Sequence, residues 1–129
     1  MRKKDISRIL RQARDLMNQG GKHWTRGKLR KGRKEPMFCS VGALNAVLGR
    51  PNTDKSGYKV DNDNRAVVYA LANEIRRTER RPPFKEFNER NDTDAMTIIW
   101  NYNDKHYRTW ADIQGVFTRA AKNPVIPKP

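Results

Sequence analysis

The sequence predicts a single, mainly α-helical domain of about five helices, with a loop or short irregular β-hairpin ahead of Cys39. Three observations carry this. The 129 residues are the size of one ordinary domain. Apolar residues recur at helical spacing in several segments. Clusters of Gly, Pro, Asn and Asp separate those segments, and neither a repeat nor a domain linker interrupts them. Residues 1–123 therefore read as one helical domain carrying a basic loop at 22–36, and residues 124–129 as a Pro-rich tail.

In chain order, the first helix has Asp5 as its expected N-cap, and Ile6, Ile9, Leu10, Ala13, Leu16 and Met17 recur in it at helical spacing. Arg11 and Asp15 are spaced to pair across one turn. Gly20-Gly21 ends this helix, because glycine enters the left-handed C-cap conformation readily. Residues 22 to 36 show neither helical nor strand period, are punctuated by Gly27, Gly32 and Pro36, and carry Trp24 and Leu29 as candidate anchors. A short second helix is expected from Cys39 or Ser40 to Leu48, stopped by Gly49 and Pro51. After a polar loop over residues 50–63, a third helix runs from about Asn64 to Arg80. It buries Val67, Val68, Leu71, Ala72 and Ile75, and Pro82-Pro83 terminates it. Asp92 or Thr93 is expected to cap a fourth, short helix with Met96, Ile98, Ile99 and Trp100. An Asn-rich turn, Asn101-Tyr102-Asn103-Asp104, then leads to the last helix. There Thr109 and Asp112 have capping-box spacing, and Trp110, Ile113, Val116, Phe117 and Ala120 form the apolar side.

Charge is the loudest compositional signal. Lys and Arg number 28 against 14 Asp and Glu, a formal net charge of +14. Self-repulsion of that size is relieved by a polyanion, and nucleic acid is the commonest one in a cell. A merely basic, solvated surface is the alternative. Lys22, Arg26, Lys28, Arg30, Lys31, Arg33 and Lys34 crowd one segment with no acid before Glu35. On a flexible loop with no packing role of its own, such cations would neutralise phosphates without reading sequence. Trp24 could stack on a base, although burial as the staple of the loop is the preferred reading. A second cluster, Arg76, Arg77, Arg80 and Arg81, sits where cations complement a helix C-terminus, so a structural role competes with nucleic-acid contact there. No zinc-finger spacing, RNP aromatic motif or basic region joined to heptads occurs, and the connection from Leu48 to Asn64 is too long for a helix-turn-helix.

Signals for chemistry are weaker. The single cysteine, Cys39, excludes an internal disulfide framework and a Cys-only zinc site, and His23 and His106 are too few for a histidine-rich one. Cys39 at a helix N-terminus could be an activated thiol, with His106 as base and Asn103 or Asp104 orienting it. The competing reading, a small buried residue beside Phe38 and Val41, is preferred. Asn52, Asp54, Ser56, Gly57 and Asp63 mimic an EF-hand spacing. However, the twelfth position is Asp, the first is Asn, and Lys55 and Lys59 add repulsion, so an Asx-rich connecting loop is expected instead. Trp100, Tyr102, Tyr107 and Trp110 concentrate aromatic area near the Asn-rich turn, and core is preferred over binding site for them. No catalytic residue, metal or cofactor is assigned.

Three stretches resemble a known family. They are Gly21-Lys22-His23-Trp24-Thr25-Arg26-Gly27, Phe38-Cys39-Ser40-Val41-Gly42-Ala43-Leu44, and Trp100-Asn101-Tyr102-Asn103-Asp104 followed by Arg108-Thr109-Trp110-Ala111-Asp112-Ile113. In that order they are similar to uncharacterised small proteins of actinobacteria and their phages. The resemblance implies a phage or actinobacterial accessory protein and supplies no activity. This chain departs from the pattern in its Lys/Arg-rich stretch before Cys39 and its high basicity. No N-terminal apolar stretch follows Met1-Arg2-Lys3-Lys4, and no apolar run approaches about 18 residues, so a cytoplasmic protein without membrane contact is expected. The leading expectation is a non-enzymatic protein binding DNA or RNA through the Lys22–Lys34 loop, helped by the Arg76–Arg81 helix end. The alternative is an interaction protein that uses the same cations to bind and modulate an acidic host protein. A Cys39-dependent hydrolase ranks third.

Overall fold

The computed structural model describes residues 1–53 and 55–128. The chain forms α1 (Lys3–Met17), β1 (Arg30–Lys31), β2 (Met37–Phe38), α2 (Ser40–Leu48), α3 (Arg65–Thr78), α4 (Glu89–Asp104) and α5 (Trp110–Lys122). A mainly α-helical domain of five helices is what the periodicity predicts. The strands pair antiparallel, Arg30 opposite Phe38 and Lys31 opposite Met37, and Trp24 bridges Phe38 in parallel. The segment before Cys39 is therefore an irregular hairpin.

α1 packs on α2 and α5, and α3 packs on α4 and α5. The short α2 is buried on nearly all sides from Ser40 to Asn45, as an almost uniformly apolar helix must be. Ile6, Leu10 and Met17 of α1, Leu71 and Ile75 of α3, Ile99 of α4 and Ile113 and Phe117 of α5 meet in one core. The Pro-rich tail returns to the body, with Pro124 and Pro127 buried and the Val125 carbonyl accepting 2.8 Å from Asn73 Nδ2 of α3. Among the described residues, no helix is long and apolar enough to cross a membrane.

Several boundaries depart from the sequence reading, each for a local reason. α1 begins at Lys3, with Arg2 and not Asp5 in the cap position, because its exposed first turn can give its free N–H groups to water. Asp5 lies inside the helix near Arg2 and Arg8, and Asp15 pairs with Arg14 instead of Arg11. α3 ends at Thr78, ahead of the prolines. Arg80 takes φ +59°, and the Arg81 and Arg80 amides donate to the Arg76 and Arg77 carbonyls, a Schellman closure built without glycine. α4 starts a turn earlier than expected, capped by Asn88, whose Oδ1 accepts from the Asn91 amide. Asp92 is unavailable as a cap because it is buried against Arg65 and Tyr69, at 2.9 and 2.6 Å. Asn101–Asp104 is the last turn of α4 and not a connecting turn. Helix α5 opens with the expected Thr109–Asp112 capping box.

Candidate nucleic-acid interface

The basic segment is held to the body by residues that carry no charge. Leu29, between Lys28 and Arg30, is only 2% exposed and is the anchor of the hairpin. Two glycines make its seat. A Cβ at Gly42 would fall 1.7 Å from the Leu29 carbonyl oxygen, and one at Gly57 would fall 2.1 Å from Leu29 Cδ1. Leu29 is thus an anchor, as its place among the cations suggested. The segment has a packing role of its own, contrary to the expectation that it had none, because one apolar side chain outweighs a local lack of periodicity.

At the root of the hairpin, Asn103 gathers the surrounding elements. Its Oδ1 accepts from Trp24 Nε1 at 2.8 Å, the Ser40 amide at 2.9 Å and the Ser40 hydroxyl at 2.8 Å. Its Nδ2 donates to the Thr25 carbonyl and to Asp104, and Asp104 in turn accepts from the Gly27 amide at 2.9 Å. Three of the short motifs singled out in the sequence therefore meet at one fully buried amide. Trp24 is half-buried against Trp110, as preferred over base stacking, and Gly21 leaves the space that Trp110 fills. Sequence reasoning missed the role of Asn103 by reading it as a turn. Its place four residues after Ile99 and seven after Met96, both buried, marks the inward face of α4.

The cations divide by what they touch. Arg26 is committed to structure: its guanidinium donates to the Lys105 and Arg108 carbonyls and lies 4.6 Å over the Trp24 ring. Lys22 approaches Glu35 at 3.9 Å, an exposed pair of little strength. Lys28, Arg30, Lys31, Arg33 and Lys34 are exposed, and no carboxylate among the described residues pairs with them. In the second cluster, Arg76 donates 2.5 Å to the Pro82 carbonyl and covers the Phe84 ring at 4.2 Å. Arg77 is paired with Glu74 at 2.6 Å, and Arg119 reaches the same carboxylate at 3.1 Å. The side chains of Arg80 and Arg81 are exposed. Arg26 is fastened just before Thr109 and Arg77 opposite Arg119, so the clusters lie near opposite ends of α5. About 15 Å of helix axis separates them, from the rise of an α-helix over ten residues.

The other candidate chemistries meet a different geometry. Cys39 is buried at the N-cap of α2, where its Sγ accepts from the Gly42 amide at 3.4 Å. Burial pushes its thiol up to about 11 despite that amide, so it holds almost no thiolate at neutral pH. His106 is exposed, its ring edge-on to Tyr107, and Asn103 is occupied elsewhere. In the connecting loop, Asn52 bonds to Asn45 and to the Gly42 carbonyl, and Ser56 to Thr53. Gly57 is packed under Leu29, while Asp54 lies outside the described residues. Among the described residues no group of three or more His, Cys, Asp or Glu side chains is placed to hold a metal ion.

The aromatic concentration splits. Tyr102 is buried and Trp110 half-buried, as core residues, whereas Trp100 and Tyr107 are exposed. Neither the curated proteins nor the solved structures include a match to the chain. A family model does match, over residues 1–123, and the chain belongs to that family of unknown function, DUF6197.

Proposed function

We propose that this chain is a small, basic, cytoplasmic accessory protein of phage type that binds nucleic acid through its phosphates. The observation that carries this is the hairpin arm: Lys28, Arg30, Lys31, Arg33 and Lys34 stand exposed, without carboxylate partners among the described residues, on a segment pinned by Leu29. A pinned arm holds its charges close together at little further entropic cost, and each phosphate contact releases condensed counter-ions. Arg80 and Arg81 supply a lesser, separate contact, since Arg76 and Arg77 already serve the helix end.

The test is binding to labelled duplex DNA, single-stranded DNA and RNA across a salt series. Five contacts give a log–log slope of about −4.5 on duplex DNA, and replacing Lys28, Arg30, Lys31 and Arg33 with alanine reduces it by about 3.6. Absence of binding to every nucleic acid at modest salt removes the proposal and turns the search to an acidic protein partner.

A further inference from the structure

The most exposed aromatic side chains among the described residues are Trp100, at 38%, and Tyr107, at 61%. Both stand where the basic arm leaves the body. Tyr107 lies between Lys105 and Arg108, whose carbonyls hold Arg26. Trp100 lines a cleft of about 340 Å³ with Gly27, Tyr58 and Asp104. Beyond it, Trp100 and Tyr58 border a second cleft of about 470 Å³ that also contains Lys59. Trp100 therefore stands between two cationic segments, the arm beginning at Lys28 and the loop carrying Lys59, and Tyr107 stands on the turn that holds Arg26.

We infer that the nucleic acid taken by the arm is single-stranded, and that its unpaired bases stack on Trp100, in the cleft shared with Tyr58, and on Tyr107. This rests on the phosphate-binding reading above and names its substrate class. A duplex hides its base faces in its own stack, whereas an unpaired strand presents them to any accessible ring, whatever the base. The carboxylate of Asp104 in the nearer cleft repels phosphate, so the occupant there is flat and uncharged while the backbone stays on the arm. In the farther cleft Asp92 is neutralised by Arg65, while the carboxylate of Glu89 repels phosphate as Asp104 does in the nearer one.

The experiment compares three labelled probes of about 12 nucleotides, a length within the range that single-strand modules cover. These are oligo(dT), an abasic strand with the same phosphates, and a duplex, each titrated with wild type, Trp100→Ala and Tyr107→Ala. Wild type binds oligo(dT) on the order of tenfold more tightly than the abasic strand. Trp100→Ala removes most of that advantage and Tyr107→Ala part of it, with abasic and duplex affinities and salt slopes unchanged. Tyr107 is on an exposed turn, so its variant keeps the test decisive should Trp100→Ala fail to fold. Equal binding of oligo(dT) and the abasic strand, or an equal loss on all three probes in the variants, overturns this inference and leaves the phosphate reading standing. Binding to none of the probes overturns both.

Discussion

Replacing Gly42 with alanine tests whether the basic arm owes its position to the space left by a missing side chain. The new Cβ would stand 1.7 Å from the Leu29 carbonyl oxygen, 2.6 Å from its carbonyl carbon and 3.0 Å from its Cα. Non-bonded heavy atoms rest at about 3.5 Å or more, so the arm's backbone must retreat by roughly 2 Å. That withdraws Leu29 from its seat. Emptying a buried leucine site costs about 2–5 kcal/mol, while exchanging Gly for Ala within a helix returns about 1 kcal/mol, so the unfolding free energy falls by about 1–4 kcal/mol. Urea denaturation measures that loss, and limited trypsin digestion reports the arm itself, whose lysines and arginines become cleavable once it lifts. Leu29→Ala sharpens the argument. At Gly57 the closest obstruction is the Leu29 side chain, at 2.1 Å, so Leu29→Ala relieves much of the damage from Gly57→Ala. It leaves the clash from Gly42→Ala, where the obstruction is backbone, so the arm still lifts and stays open to trypsin, although the loss of the leucine site is not counted twice. A Gly42→Ala protein within about 0.5 kcal/mol of wild type, with an equally trypsin-resistant arm, would refute the reasoning.

Asn103→Ala removes the acceptor shared by the Trp24 indole and the Ser40 amide and hydroxyl, and lowers stability by about 2–4 kcal/mol in urea denaturation. Burial alone raises the Glu74 carboxyl, but hydrogen bonds from Arg77 and Arg119 outweigh it and leave the group below its ordinary value of 4.5. Its stabilisation is therefore complete above about pH 4.5 and is lost as pH falls through the lower folded value. The melting temperature should decline on that acid limb, and Glu74→Gln should shallow the decline while lowering stability at neutral pH. Arg80→Gly relieves a left-handed residue at φ +59° and is expected to stabilise the protein by about 1 kcal/mol in thermal melts, with no more than a small change in nucleic-acid salt slope. Cys39 should resist a thiol reagent at neutral pH until denaturant is added, and rapid modification of the folded protein would contradict its burial.

What the sequence by itself determined is the part written in neighbouring residues. The span of α2, bounded by Cys39 and Gly49, and the capping box of Thr109 and Asp112 are both decided within a turn of chain. So is the helical character of all five segments. Short-range signals misled where a distant partner claimed a residue. Asp92 looked like a cap until Arg65 and Tyr69 took it into the interior. Asn101–Asp104 looked like a turn because asparagine and aspartate compete for nearby backbone, yet Asn103 accepts from Trp24 and Ser40 and donates to Thr25, leaving α4 intact. The candidate interface divides in the same way. Its excess of cations is visible in composition. Which of them are engaged was decided mostly by tertiary structure, because Arg26 and Arg76 are held by carbonyls and rings of other segments, whereas Arg77 meets Glu74 within its own helix. A hydrogen bond or a buried side chain needs both partners in place, and only the folded chain brings residues as distant in sequence as Leu29 and Gly42, or Trp24 and Asn103, into contact.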